Sequence, residues 1–457
     1  MVTASRTPSL SRAELRSVFD HGGSDECAGE LVGIEVEAAA LDPVTGAAVP
    51  YEGERGVRAL LASLAAEPGA EPEYDRGALV GVRLAGGGAV SLEHGGAVEF
   101  SSPPARCVAE LAGTGGRALR ELAERARRFG FALVPGGQYP CTAIDEVRWV
   151  PHSRTPLMRR HFARLGEAGA WGPRVMSMTL STQATFDFGS PADLGEKLRT
   201  LVAASTPAAA LFVNAPMEAG RPCGMLSRRM HYLSRTDPWR TRVVPVTLRE
   251  DFSVDLFVDW ALSLPMIHRA TPDGGRRSVP QVPFGTLLTE GFEDGTRPDL
   301  LDWRAHLSQM FTDVRLRETL ETRAFDGPPF GAFTAVPAFW SGLTYHRPSR
   351  LAAWELLRGA GPRQHGEALD DIARRGLAAR FDGRPVREVA AELLRLSADG
   401  LRARIAAGLE RPAALACLDP LHEVLATEAT FAERTLALWR EDPTSFPERF
   451  VAAHRIP

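Results

Sequence analysis

From Met176 to Phe188 the side chains alternate without a break. Met176, Met178, Leu180, Thr182, Ala184, Phe186 and Phe188 take one phase, and Ser177, Thr179, Ser181, Gln183, Thr185 and Asp187 take the other. Period two over this length predicts a strand with one face in a core and an entirely polar opposite face. Val314–Ala324 repeats the pattern, with Arg315, Arg317, Thr319, Glu321 and Arg323 in one phase. Glu30–Ala40, closed by the turn Asp42-Pro43, reads as a further strand, and 80–101 as paired strands broken at Gly86–Gly88 and Gly95-Gly96. Helical spacing predicts helices over 12–20, 56–66 and Ala105–Phe129, then over Leu351–Arg358, Val386–Leu396, Leu401–Ala407 and Thr430–Arg440. The simplest architecture is α+β, one antiparallel sheet flanked by helices. A single domain is expected, with a sheet core over about 1–345 and a helical portion over about 346–457.

Composition closes off several functions. At 457 residues the chain has room for two or three subdomains. It has no apolar run of about 18 residues, which argues against a membrane span. The first residues, MVTASRTPSLSRAELRS, carry no apolar signal core, so a cytoplasmic protein is expected. A net charge of −4 argues against nucleic acid as a partner, because phosphate-backbone binding needs a concentrated basic surface. Arg outnumbers the single Lys197 as a matter of composition. Cys27, Cys107, Cys141, Cys223 and Cys417 lie far apart with no ligand spacing, and predict reduced thiols.

The chemistry is carried by carboxylates. In Gly33–Glu37 (GIEVE), alternation puts Glu35 and Glu37 on one face and turns Ile34 and Val36 inward. In Ser91–Phe100, Glu93 and Glu99 flank a Gly-Gly turn, and Glu321 and Arg323 share a strand face. Each pair alone describes a solvated sheet face. Converging on one face, these groups would repel one another unless cations neutralised them, and hard divalent cations take oxygen ligands. Mg²⁺ keeps few protein carboxylates and completes its shell with water and nucleotide phosphates, so such a face suits ATP. An adjacent Arg could clamp a phosphoryl group in transfer. No Walker loop or GxGxxG fingerprint is present.

These motifs, in this order, resemble the plant-type glutamate–cysteine ligases. The resemblance rests on GIEVE at 33–37, YEGERGVRALL at 51–61, GGGAVSLEHGGAVEFSSPP at 86–104 and LFVNAPMEAGRPCGMLSRR at 211–229. It continues through FVDWALSLPM at 257–266, DWRAHLSQMFTDVRLRETLETRAFDGPPF at 302–330 and VPAFWSGLTY at 336–345. It implies a glutamine-synthetase-like core, with a curved, mostly antiparallel sheet forming a funnel that holds ATP and two or more Mg²⁺ ions. By motif position, Glu35, Glu93 and Glu99 would hold metal toward the substrate. Glu37 and Glu321, with Gln183, would hold metal on the nucleotide phosphates. Arg323 would face the γ-phosphate, and Arg229, with Ser227 nearby, would meet the glutamate α-carboxylate. The implied reaction activates the glutamate side-chain carboxylate as an acyl phosphate that the amine of cysteine attacks. Small-molecule substrates and a monomer or homodimer are the expected partners and state.

The sequence departs from the family at Val36, Ala38, Ala97, Ser102, Thr185 and Leu233. The metal and phosphate set is kept while its surroundings have drifted, so another small or non-protein amino acid competes with cysteine as acceptor. A binding protein without catalysis, and a kinase that stops at the acyl phosphate, are the readings from other classes. Cys223, His231, His268 and His306 read as structural, Trp303, Phe339 and Trp340 as core, and His94 as a residue between metal candidates.

Overall fold

The computed structural model describes residues 9–19, 30–271 and 274–457. At its centre lies a sheet of nine strands. In chain order they are β1 (Val32–Leu41), β2 (Glu71–Asp75), β3 (Ala78–Arg83), β4 (Ala89–Leu92), β5 (Val98–Ser101), β6 (Ala132–Pro135), β7 (Thr182–Phe186), β8 (Val314–Leu316) and β9 (Leu320–Thr322). Across the sheet the order is β8, β9, β7, β1, β5, β4, β3, β2, and β6 pairs with β1 from Ala38 onward, beyond the reach of β7. Every pairing within this sheet is antiparallel.

β1 organises the sheet because its alternation is real. Val32, Ile34 and Val36 are buried in the main hydrophobic cluster, where the helices Val108–Arg128 and Ala335–Tyr345 cover them. Glu35 and Glu37 face the other way, into a cavity. The helix Ala335–Tyr345 is buried along its whole length; Trp340 stacks on Phe325, and Phe339 meets both rings edge-on. One cluster of buried side chains runs from Leu15 to Ile456, so the C-terminal helices share the core of the sheet.

Two expected strands are corrected. Met176–Met178 closes a helix, Gly172–Met178, and extended pairing in that region is confined to β7. Pro173 in the first turn starts that helix, and the Ser177 and Thr179 hydroxyls donate to the carbonyls of Pro173 (2.8 Å) and Val175 (2.7 Å), four residues back. The polar phase of the alternation is thereby satisfied inside a helix. Val314–Ala324 folds back as the hairpin β8–β9, with Arg315 opposite Glu321 and Leu316 opposite Leu320. Because Leu316 and Leu320 are four apart, the turn preserves the alternation, and Arg315 still shares a face with Glu321.

Elsewhere boundaries move. The expected helix over 12–20 is Arg12–Ser17 in the structure, and residue 20 lies outside the described residues. Val386–Leu396 and Leu401–Ala407 are one helix, Val386–Ala406. The tail also holds a short hairpin, Arg380–Phe381 with Arg384–Pro385, and so is not wholly helical. Cys107, Cys141, Cys223 and Cys417 are free thiols, and Cys27 lies outside the described residues. Among the described residues no helix is long and apolar enough to cross a membrane.

Candidate active site

Register brings the carboxylates together. On β1, Glu37 pairs directly with Glu99 of β5, and Glu35 pairs with Gln183 of β7. Glu93 follows β4 in a tight turn, where its N–H donates to the Ala97 carbonyl (2.9 Å) and its own carbonyl accepts from the Gly96 N–H (2.8 Å). Glycine is required in that turn. A Cβ on Gly95 would lie 1.9 Å from the Ser177 carbonyl oxygen. The result is that Glu37, Glu93 and Glu99 each present an oxygen within 4.8 Å of the others.

These carboxylates are held in costly surroundings. Burial, reinforced by the charge of Glu93, pushes Glu37 up to about 7. Burial and the charge of Glu321 push Glu35 up to about 7. Burial and the charges of Glu35, Glu93 and Glu37 hold Glu99 well above the usual carboxylate range. Glu37 is fixed in place all the same, since its carboxylate accepts from the Ser181 N–H (2.7 Å), the Ser181 hydroxyl (3.0 Å) and Gln183 Nε2 (2.9 Å). Hard oxygens, one buried and two partly buried, that crowd one another are a donor set matched to a divalent cation.

Glu321 stands apart from that triad. It is 1% exposed and surrounded by guanidinium groups. Arg315 grips it through two nitrogens (2.8 and 3.1 Å), Arg317 approaches to 3.1 Å, and Arg323 donates to its Oε1. Burial alone would raise its pKa, but the charges of Arg315, Arg323 and Arg317 outweigh it and hold the carboxyl far below its usual range. Gln183 joins the two walls: its Nε2 donates to Glu37 while its Oε1 accepts from Arg323 (2.6 Å). Between the acidic and basic walls opens a cavity of about 840 Å³, lined by Glu35, Glu37, Glu93, Glu99, Gln183, Arg229 and Arg323 among others.

Arg229 reaches this cavity with its guanidinium committed on one side, where it donates to the carbonyls of Arg323 (2.8 Å) and Ala324 (3.2 Å). Ser227 does not reach it. The residue is fully buried and caps the helix Arg228–Leu233, accepting from the Met230 N–H (3.1 Å) and donating to Asp326 (3.0 Å). Its hydroxyl is thus spent within the protein, and its expected contact with substrate is replaced by support of the segment that carries Arg229.

His94 and His268 line the cavity, burial lowering both, and His94 is hydrogen-bonded to Thr155 (2.6 Å). His306 is buried against Phe284, and His231 packs on Trp171. Among the lining residues that escaped sequence reasoning are His152, Arg154 and Arg276, and also Arg242 and Asp313, an ion pair 3.1 Å apart.

An acidic triad and an arginine cluster joined through Gln183 in one cavity place a donor set for a divalent cation beside guanidinium groups that can meet an anion. Comparison with known proteins narrows that chemistry. Residues 31–445 match the family described as glutamate-cysteine ligase family 2, and the chain belongs to that family. It is 30% identical to the chloroplastic glutamate–cysteine ligase of Arabidopsis thaliana, over 77% of this chain and 66% of that one. It is 30% identical to the chloroplastic ligase B of rice, Oryza sativa subsp. japonica, over 77% of this chain and 69% of the relative. The matched region thus spans about two thirds of these relatives' length. The fold is shared with the glutamate–cysteine ligase of Francisella tularensis determined in complex with AMP, with a TM-score of 0.56 at 12% identity, covering 94% of this chain and 90% of that one.

Proposed function

We propose that the protein is an ATP-dependent γ-glutamyl ligase that joins the side-chain carboxylate of glutamate to the amine of L-cysteine. Membership of the family supports the reaction, and the observation that carries it is the pairing of an acidic triad with an arginine cluster through Gln183. The triad Glu37, Glu93 and Glu99, with Glu35 beside it, would hold Mg²⁺ ions, which supply charge neutralisation at the phosphates and the activated carboxylate.

The chain's own residues account for the rest. Arg323, oriented by Glu321 and Gln183, meets negative charge that spreads over a transferring phosphoryl group. The glutamate γ-carboxylate displaces ADP and becomes an acyl phosphate. The neutral amine of the acceptor attacks the carbonyl carbon of the acyl phosphate, phosphate leaves with the C–O bond electrons, and the proton shed by the nitrogen goes to the departing phosphate. Arg229 anchors the α-carboxylate of glutamate and fixes the distance of the reacting carbon from Arg323. Glu321 serves as the counter-ion that holds Arg315, Arg317 and Arg323 in one place, and any role toward metal requires it to release one of them.

We place the acceptor's side chain against the apolar residues of the cavity, which favours an uncharged one. Met158, Phe162, Val175, Met176 and Leu233 form an apolar part of the cavity wall. Such a wall suits a thiol and tolerates other small side chains, which keeps a different small amino acid as the second reading. An ADP-release assay with glutamate and Mg²⁺ fixed and the amine varied, read out by dipeptide mass, decides between them. The proposal predicts ADP only when all three components are present, with γ-glutamylcysteine as the best product. ADP formed without any amine would refute it.

A further inference from the structure

Arg242 is a residue out of place. Its φ is +72°, a left-handed conformation that favours glycine, yet the position holds an arginine. Its side chain is 6% exposed, and its Nη1 lies 3.1 Å from Asp313 Oδ1 without hydrogen-bond alignment. None of its guanidinium nitrogens has an aligned acceptor. Backbone strain and buried donors without acceptors both cost stability, and they persist where the surrounding structure or the function requires them.

The surroundings show what the residue serves. The Arg242 carbonyl accepts from the Asp313 N–H (2.8 Å), and the Asp313 carbonyl accepts from the Arg323 N–H (2.7 Å). On its other side the Arg323 carbonyl accepts from Arg229 (2.8 Å), which lies 3.7 Å from Asp326. Arg323 is therefore held on its N–H by the main-chain carbonyl of Asp313, whose carboxylate is paired with the Arg242 guanidinium, and on its C=O by the guanidinium of Arg229, which lies near Asp326. The geometry points to Arg242 as a positioning residue: through Asp313 it fixes the backbone of Arg323 and so the place of the guanidinium that meets the phosphoryl group. This inference rests on the γ-glutamyl ligase reading and names a residue for it that acts at one remove.

The test is steady-state kinetics on the full chain with ATP, Mg²⁺, glutamate and cysteine. Arg242→Gly suits the backbone, so it removes the guanidinium without adding strain. Circular dichroism confirms folding, and Arg242→Gln takes its place if the glycine variant does not fold. The expected result is a fall in kcat of roughly ten- to hundredfold, since a misplacement of about 1 Å at the reacting groups costs on that scale, with KM for glutamate and cysteine unchanged. Asp313→Asn should give a similar fall, and the double variant should lose no more than either single one, because the two act as one unit. Arg242→Lys, which keeps a charge opposite Asp313, should recover part of the loss. A kcat equal to wild type, a loss confined to KM, or losses that add in the double variant would each overturn the inference. A wild-type protein that forms no γ-glutamyl product would instead refute the underlying function.

Discussion

Glu37 and Glu99 stand directly opposite each other on β1 and β5. Like charges in that relationship weaken a sheet, and here burial adds to the effect. Glu99→Gln should therefore stabilise the chelator-treated protein by about 1 kcal/mol in urea unfolding while abolishing ADP formation. A variant both less stable and active would contradict the site.

The same carboxylates set a pH dependence. Glu35 and Glu37 titrate at about 7 in the fold, well above their unfolded values near 4.3. Between those limits the folded state binds more protons than the unfolded state. Without divalent cations, stability is thus highest at the acidic end, falls as pH rises from about 4.5 to about 7, and then levels off. The loss should be several kcal/mol, roughly 3 to 4 for each carboxyl, and Mg²⁺ should reverse it at pH 8 but not at pH 5. Urea melts at the two pH values, with and without Mg²⁺, check both halves.

Glu321 carries the opposite charge logic. Glu321→Ala leaves three guanidinium groups without their common counter-ion and should cost about 3 kcal/mol of stability. Arg323→Ala should lower kcat at least about a hundredfold while the fold survives. Equal activity in Arg323→Ala and wild type would remove Arg323 from the phosphoryl-transfer role.

Ser227→Ala separates support from contact. Loss of the cap should reduce stability by about 1 kcal/mol and leave KM for glutamate unchanged. A large rise in KM with normal stability would restore Ser227 to the substrate.

Gly95→Ala tests the turn that presents Glu93. The added methyl collides with the Ser177 carbonyl oxygen, and the displaced turn should cost about 1–3 kcal/mol. It should also abolish the thermal shift given by Mg²⁺ in differential scanning.

Much of this site was readable in the sequence, for physical reasons that differ by residue. GIEVE was legible because a strand with one buried face must alternate, and that alone put Glu35 and Glu37 side by side. Glu93 and Glu99 were legible through the glycines between them. The hairpin in Val314–Ala324 was hidden because its turn conserves the alternation and lacks Gly, Pro, Asn or Asp. Its one signal is Glu318, a charge in an otherwise uncharged phase of Val314, Leu316, Leu320 and Thr322. The helix ending at Met178 was hidden because Ser and Thr hydroxyls can bond back within a helix as readily as they can line a sheet. Arg242 had no signal at all: a left-handed backbone is announced by glycine, and here arginine occupies it.

Three guanidinium groups gathered on one carboxylate leave the Glu321 side of the cavity with a surplus of positive charge, while the triad on the other wall carries no cationic group of its own. The chamber is polarised before anything enters it. A polyanion diffusing in feels a field that turns its charged end toward the hairpin, over a range of about 8 Å at physiological ionic strength. Capture of the nucleotide should accordingly slow as salt is added, even where the rate of bond-making stays the same.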